Sequence, residues 1–506
     1  MLPLKSDASA RSKSILLLAN QPFQLEIMCR LAKKLQEQGS MTRLYLTDLY
    51  TIVYAPEIID RAQREIGSEI ITLKSEFISW QDKGEPDPER VMKASAVLEL
   101  YKSLKSRGRN LATLRLTDPY TNGYEFNSWY LPISKNWRDV AHAETLLKCQ
   151  SVVLDTCPSI IVSIDNSLLP INFIHALTEG HCTFITFQHT RIGSRWMPRY
   201  DFALGSYLES KSYSRRENQA KKVEFEINRF LKNFNQKSQG LYTSPANLLG
   251  SRPTVSFFRE FLELLIHIPR SIFLGPSSRK LEVRRFDQNF LKINFAEGKR
   301  RLAKFLPDHS LTPHDLGTKG YFFWTLHYRP EGSGLVLGQG EDEIEIVLEL
   351  AKLLQEFNQT LVVKENPLMF GTRKSSTMRR LARQPNLLWA PRFSHSLSWI
   401  REAKGVLGIS GTSLLEAAFL DIPAFAFGAP EYLPFVWSKN DTSPAQFIKR
   451  CIDGNLQSRS DILLDYLKYV FSYSSDYDSM LNALSDPREM QKDIQRMSSE
   501  ILTWVK

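Results

Sequence analysis

Ser410-Gly-Thr-Ser413 follows the apolar run Val406 to Ile409 and precedes an apolar stretch that carries Glu416 one helical turn in. A helix that begins directly after a buried parallel strand turns free backbone N–H groups and the positive end of its dipole toward the space beyond the sheet, where anions bind. Gly411 lets a ligand approach the backbone, and Ser410, Thr412 and Ser413 add hydroxyl donors. This chemistry suits a phosphate, with Glu416 placed to accept from ribose hydroxyls. The same letters have a purely structural alternative, since Ser413-Leu-Leu-Glu416 is a capping box that satisfies orphan N–H groups and stabilises by about 1 kcal/mol. The stretch is neither a P-loop nor a Gly-x-Gly-x-x-Gly fingerprint.

Further candidates stand where apolar runs end. His327 opens a loop with Arg329, Glu331, Gly332 and Gly334, and Lys364-Glu-Asn-Pro367 follows Thr360 to Val363. Lys364 and Arg329 are therefore candidate ligands for the same phosphate or diphosphate, each charge-assisted contact being worth about 1.5–3 kcal/mol, and His327 and Glu365 are further candidate substrate contacts. Ordinary loop pairs, Lys364 with Glu365 or Arg329 with Glu331, are the alternative. Candidates for acid, base or anion chemistry are His189 and Arg191 in Gln188-His-Thr-Arg-Ile-Gly193, together with Glu331. A structural histidine at 189 is the competing reading, and Asp165 reads as a helix cap. The sequence shows no Ser/His/Asp triad order, no His-Glu-x-x-His helix and no Asp-x-Asp pair of the sort that holds a divalent metal on a nucleotide. No metal and no cofactor is expected; cations and a helix dipole would stabilise a leaving phosphate.

Such residues need strands to set them in place. Ser14 to Ala19, Arg43 to Leu46, Ile160 to Ile164 and Thr183 to Phe187 read as strands, with helices over about 24–38 and 168–179 and a short strand at Phe202 to Leu204. Residues 56–150, mostly helical and polar, read as an insertion. A second alternation runs through Tyr321 to Leu326, a helix over about 342–357, Thr360 to Val363, a helix over 378–383, Leu387 to Trp389, a helix over 397–403, Val406 to Ile409, a helix over 413–420 and the strand after Pro423. The fold class is α/β, with two Rossmann-like doubly wound domains facing a cleft and helical insertions. The expected division is an N-terminal domain over 1–205, a basic helical segment over 206–320, a C-terminal domain over 321–445 and helices over 446–506 that pack back onto the first half.

Length and charge agree with two or more domains. The chain has 506 residues, a net charge of +10, 42% hydrophobic residues and five scattered cysteines without C-x-x-C spacing, which argues against a disulfide framework or a zinc site. Residues 206–320 hold 21 Lys and Arg against 11 Asp and Glu, so they carry the whole positive excess. Basic residues alternate there with aromatic and aliphatic ones, as in Phe257-Phe-Arg-Glu-Phe-Leu262, which suits an anionic membrane surface or an acidic polymer; a helical linker packed on the domains is the alternative. No apolar run approaches a membrane span or a secretory signal, so a cytoplasmic location is expected, peripheral at the inner face of the membrane. No RNA- or DNA-binding module is readable, and nucleic acid is not an expected partner.

Phe322-Phe-Trp-Thr-Leu-His-Tyr-Arg-Pro-Glu331, Val362-Val-Lys-Glu-Asn-Pro367, Pro385-Asn-Leu-Leu388 and Ile409-Ser-Gly-Thr-Ser-Leu-Leu-Glu-Ala417, with Asp421-Ile-Pro423 and Phe427-Gly428, resemble in order and spacing the capsule polysaccharide biosynthesis/export family. That family includes GT-B glycosyltransferases, among them β-Kdo transferases that build a lipid linker from CMP-Kdo. The resemblance covers roughly 320–435 and is only architectural before about 205. It implies a GT-B-like fold and a nucleotide-sugar as co-substrate on the C-terminal half. Lys364 would then lie near the phosphate, Ser410 to Ser413 at the helix terminus and Glu416 toward the ribose. A glycan or glycolipid acceptor would lie on the N-terminal half. Asn366 stands where the family commonly has histidine, and Gln188 to Gly193 occupies the region of the family's acidic residue followed by glycine. The implied function is metal-independent transfer of a sugar to a surface polysaccharide or its lipid-linked precursor. The alternatives are a CDP-alcohol polyol-phosphate transferase and a non-catalytic polymer- or membrane-binding module.

Overall fold

A computed structural model describes residues 14–20, 22–47, 56–67, 69–72, 85–106, 109–116, 134–164, 169–193, 195–199, 220–236, 241, 311–327, 342–366, 369, 373, 375–430, 432–456, 459–476 and 487–505. The first lobe begins with β1 (Ser14–Ala19), α1 (Pro22–Glu37), β2 (Met41–Leu46), α2 (Pro56–Ile66) and β3 (Ile71–Thr72). It continues through α3 (Pro88–Leu100), a two-stranded ribbon of β4 (Lys105–Ser106) and β5 (Arg109–Asn110), α4 (Leu111–Leu116) and α5 (Lys135–Thr156). Then come β6 (Ile160–Ser163), α6 (Leu169–Thr178), β7 (Thr183–His189), β8 (Arg195–Arg199) and the connecting helix α7 (Ala220–Gln236). The second lobe holds β9 (Tyr321–Thr325), α8 (Glu343–Glu356), β10 (Thr360–Lys364), α9 (Ser375–Ala382), β11 (Leu387–Trp389), α10 (Ser396–Arg401), β12 (Gly405–Gly408), α11 (Thr412–Phe419), β13 (Ala424–Ala426) and β14 (Trp437–Ser438). It is followed by α12 (Pro444–Ile452), α13 (Ser460–Tyr473), β15 (Ser475–Asp476) and α14 (Pro487–Val505).

The first sheet runs β15-β8-β7-β6-β1-β2-β3 and the second β11-β10-β9-β12-β13-β14. Every pair in the second sheet is parallel, so counted from β9 its order is 3-2-1-4-5-6, the dinucleotide-type doubly wound arrangement. The first sheet repeats this order over β3, β2, β1, β6 and β7 before β8 joins antiparallel. The two Rossmann-like domains expected from the sequence are present. Central strands such as β1, in which all six residues are buried, read as continuous apolar runs because helices cover both faces.

Four apolar clusters correspond to the two faces of the two sheets. Period-2 alternation sends Tyr321, Phe323, Val362 and Val406 to one face of the second sheet, beneath α10, α11 and α13. Phe322, Trp324, Leu361, Val363 and Leu407 go to the other, beneath α8 and α12. In the first lobe α1, α2 and α14 cover one face, and α3, α5 and α6 the other. The stretch expected as an insertion over about 56–150 therefore contains parts of the frame itself, since β3 pairs with β2 and α5 lies under the sheet. The strand expected at Phe202 to Leu204 lies outside the described residues, whereas β8 and β14 were not expected. Of the basic segment over 206–320, only α7, Leu241 and residues 311–320 are described.

Candidate functional site

β9 and β12 are the first and fourth strands of the second sheet and lie side by side at its topological switch point, where the chain leaves in opposite directions and a crevice opens. Beyond β12, Ile409, Ser410 and Gly411 form the turn into α11. Gly411 is the N-cap residue, at φ −70 and ψ 155, and as a glycine it has no side chain to cap the helix. The capping-box alternative fails for this reason: the helix starts at Thr412, and Ser413, already inside it, shares a 2.7 Å hydrogen bond with Thr325 at the end of β9. The Tyr432 hydroxyl donates to the Gly411 carbonyl and steadies the turn. Ser410 is wholly enclosed, whereas Gly411 and Thr412 are half-buried.

His327, two residues beyond β9, is 6% exposed. Its backbone N–H (2.9 Å) and its ring Nδ1 (2.8 Å) both meet Oε1 of Glu343, the first residue of α8. Its Nε2 is buried and has no hydrogen-bond partner in the fold. A Cβ added at Gly411 would lie 3.5 Å from that Nε2, 3.5 Å from Thr325 Oγ1 and 3.4 Å from Ser413 Oγ. Three polar atoms from two strands' ends thus surround one point beside an uncapped helix N-terminus. Lys364 is paired in register with Thr325 and shares the face of Val362, which α11 covers. It is buried, and its charge acts on Glu416.

Glu416 points toward the joint between the lobes. Its carboxylate accepts from the Leu241 N–H (3.1 Å), while the Leu241 carbonyl accepts from the Gly193 N–H (3.2 Å). Burial pushes the Glu416 carboxyl up to about 7, against the opposing effects of that hydrogen bond and of Lys364. Leu241 therefore brings the 189–193 loop and the 410–416 turn to one place.

Other expected residues have different employment. Glu365 forms a two-pronged buried pair with Arg373 (2.6 and 3.0 Å), and Arg373 also donates to the His327 carbonyl at 2.8 Å. Burial raises the Glu365 carboxyl and the arginine opposes this. Glu365, which the alternative reading paired with Lys364, has as its buried ion-pair partner an arginine eight residues further on, and so braces the loop. His189 Nδ1 accepts from the Arg191 N–H (3.1 Å) and Nε2 meets the Gly193 carbonyl (2.9 Å), so the ring staples its own loop with Arg191 held at φ 62. That geometry favours the structural reading of His189 over the acid–base one. Arg329, Glu331, Asp165 and Pro367 lie outside the described residues.

Sequence reading missed Thr325, Glu343, Arg373, Leu241 and Tyr432. Asp342-Glu343 carries the signal of an ordinary acidic helix start, and Asp342 does cap α8 through the Ile344 N–H. Nothing in that signal shows that Glu343 turns inward. Among the described residues no cluster of three potential metal ligands occurs. The thiols of Cys29, Cys149 and Cys451 are pushed up to about 12 by burial, which makes them poor nucleophiles.

No family model and no curated protein matches the chain. Among solved structures it is similar to a β-Kdo 2,4 transferase, KpsC, of Thermosulfurimonas dismutans, at 9% identity and a TM-score of 0.30 over 67% of this chain and 87% of that one. It is also similar to a calicheamicin glycosyltransferase, at 12% identity and a TM-score of 0.27 over 98% and 99%. A third likeness is to a UDP-N-acetylglucosamine 2-epimerase of Listeria monocytogenes, so described provisionally, at 9% identity and a TM-score of 0.28 over 97% of both chains. Likeness at this level is no guide to chemistry. Among the described residues no helix is long and apolar enough to cross a membrane.

Proposed function

We propose that the chain is a glycosyltransferase whose donor is a nucleotide-sugar, bound with its phosphate over the N-terminus of α11, and whose product is a surface polysaccharide or its lipid-linked precursor. The observation that carries the anion site is the uncapped helix start at the switch point, with His327 Nε2, Thr325 and Ser413 gathered beside Gly411. The sugar-transfer part rests on the resemblance of residues 320–435 to the capsule family. In the reaction the bond between the anomeric carbon and the phosphate oxygen breaks and its electron pair stays on the phosphate, while an acceptor hydroxyl attacks the carbon. Charge growing on the phosphate is met by the helix N–H groups and by Lys364, both set in place by the fold before the ligand arrives. The acceptor proton falls to a carboxylate, for which Glu331 is the candidate; His189 has both ring nitrogens committed. Basic residues of 206–320 would hold the enzyme at an anionic membrane surface.

Calorimetric titration with CMP-, UDP-, GDP- and CDP-linked compounds tests this. One nucleotide class is expected to bind, with Lys364→Met, which keeps the buried stem, weakening it by about tenfold to a hundredfold. Failure of every compound to bind, or unchanged affinity in the variant, counts against the assignment. Product analysis then separates glycosidic from phosphodiester linkages, and binding without turnover favours a recruiting module.

A further inference from the structure

We infer that Glu343 is a positioning residue for this site, holding His327 so that its Nε2 engages an oxygen of the bound phosphate; the inference rests on the nucleotide reading above. Glu343 is fully buried, next to Ile344 and within reach of Trp324, both members of an apolar cluster. A carboxylate is costly there unless its charge is matched, and the residue starts a helix, where the dipole favours a negative group. What it meets is His327, twice, through the backbone N–H and through Nδ1, with the Trp324 indole N–H at 3.4 Å. From the opposite side Arg373 takes the His327 carbonyl. Ring and amide are thus fixed by one carboxylate oxygen, and the carbonyl by Arg373.

This hold settles which ring nitrogen is available. With Nδ1–H donated to Glu343, Nε2 is left to face Gly411. An enclosed nitrogen without a partner lowers stability, and this one faces the start of α11, where a ligand can meet it. A ligand oxygen arriving over α11 supplies the missing partner: the Nε2 lone pair takes up a proton together with the phosphate, and the imidazolium, balanced by Glu343, donates that N–H to the phosphate oxygen. The carboxylate–imidazole pair works as the outer partner does at other imidazole sites, fixing tautomer and ring orientation.

A double-mutant cycle with His327→Gln, Glu343→Gln and the combined variant, titrated with UDP, CMP, GDP and inorganic pyrophosphate, tests the assignment. Each single variant is expected to bind about tenfold more weakly than the wild type. The double variant should bind no more weakly than His327→Gln alone, because Glu343 reaches the ligand only through the His327 side chain that it orients. Losses that multiply, or a Glu343→Gln protein that binds like the wild type, overturn the inference while leaving the nucleotide reading intact. Wild type that binds none of the probes overturns both. Should Glu343→Gln fail to fold, nitrogen NMR of the histidine-labelled wild type decides: the His327 Nε2 signal moves on adding pyrophosphate if the inference holds, and its immobility sinks it.

Discussion

Gly411 isolates the chemistry of the site from its architecture. Its φ and ψ are ordinary for any residue, and an added Cβ would make only van der Waals contacts at 3.4–3.5 Å. Gly411→Ala is therefore expected to cost less than about 1 kcal/mol of stability, as an N-cap exchange does. Yet its methyl would occupy the point that Thr325, Ser413 and His327 surround, and nucleotide affinity should fall by at least about tenfold. Chemical denaturation read beside calorimetry checks both, and a variant that binds normally would show that no ligand atom sits at that point. At this scale the sequence revealed what turn chemistry reveals: a serine-rich exit from a strand, with a glycine in it. It did not reveal partners. Glu343 and Arg373 reach the site across 16 and 46 residues from His327, and only the sheet order brings them there. Glu416 and Ser413 had the spacing of a capping box, but helix start and side-chain direction differ by a residue or two from what that motif needs.

The central strands of both lobes and most of the helices between them were legible because each sheet is buried on both faces, which turns central strands into unbroken apolar runs and covering helices into periodic ones, although α2, α3 and α5 read only as an insertion. Edge elements were not: β3, β14 and β15 have two residues each, too few for any periodicity, and β8 is rich in arginine. The joint between α7, α11 and α13 also escaped notice, although it governs the placement of α11. Phe419, at the end of α11, meets Phe230 (5.6 Å) and Phe234 (5.5 Å) of α7, and Phe230 meets Phe471 of α13 (5.8 Å). Phe419→Ala is expected to cost about 2–3 kcal/mol, somewhat below the fully buried case because Phe419 is partly exposed. Urea unfolding measures it, and a loss under about 0.5 kcal/mol would mean that α7 is not anchored there.

For the molecule as a whole, Glu416 links pH to the union of the lobes. Its folded-state pKa, about 7, lies above the ordinary 4.5. The folded chain therefore holds this proton more tightly than the unfolded chain. The favourable contribution is complete below about pH 4.5 and is lost as the pH climbs to about 7, a total of about 3 kcal/mol. Glu416→Gln keeps an acceptor for Leu241 and removes the titration, so its stability relative to wild type should rise between pH 5 and pH 7 and level off above that. A difference that stays flat over pH 5 to 8 would place Glu416 in contact with water. Chain order has a separate effect. Met490, Ile494, Met497 and Ile501 of α14 complete the same apolar cluster that β1 and α1 begin. On a ribosome adding about 5–20 residues per second, that cluster stays uncovered for on the order of a minute after its first strand emerges. The lobe translated first is thus sealed last, and loss of the final helix should send the nascent protein toward chaperones or aggregates even though every residue of the anion site has been made.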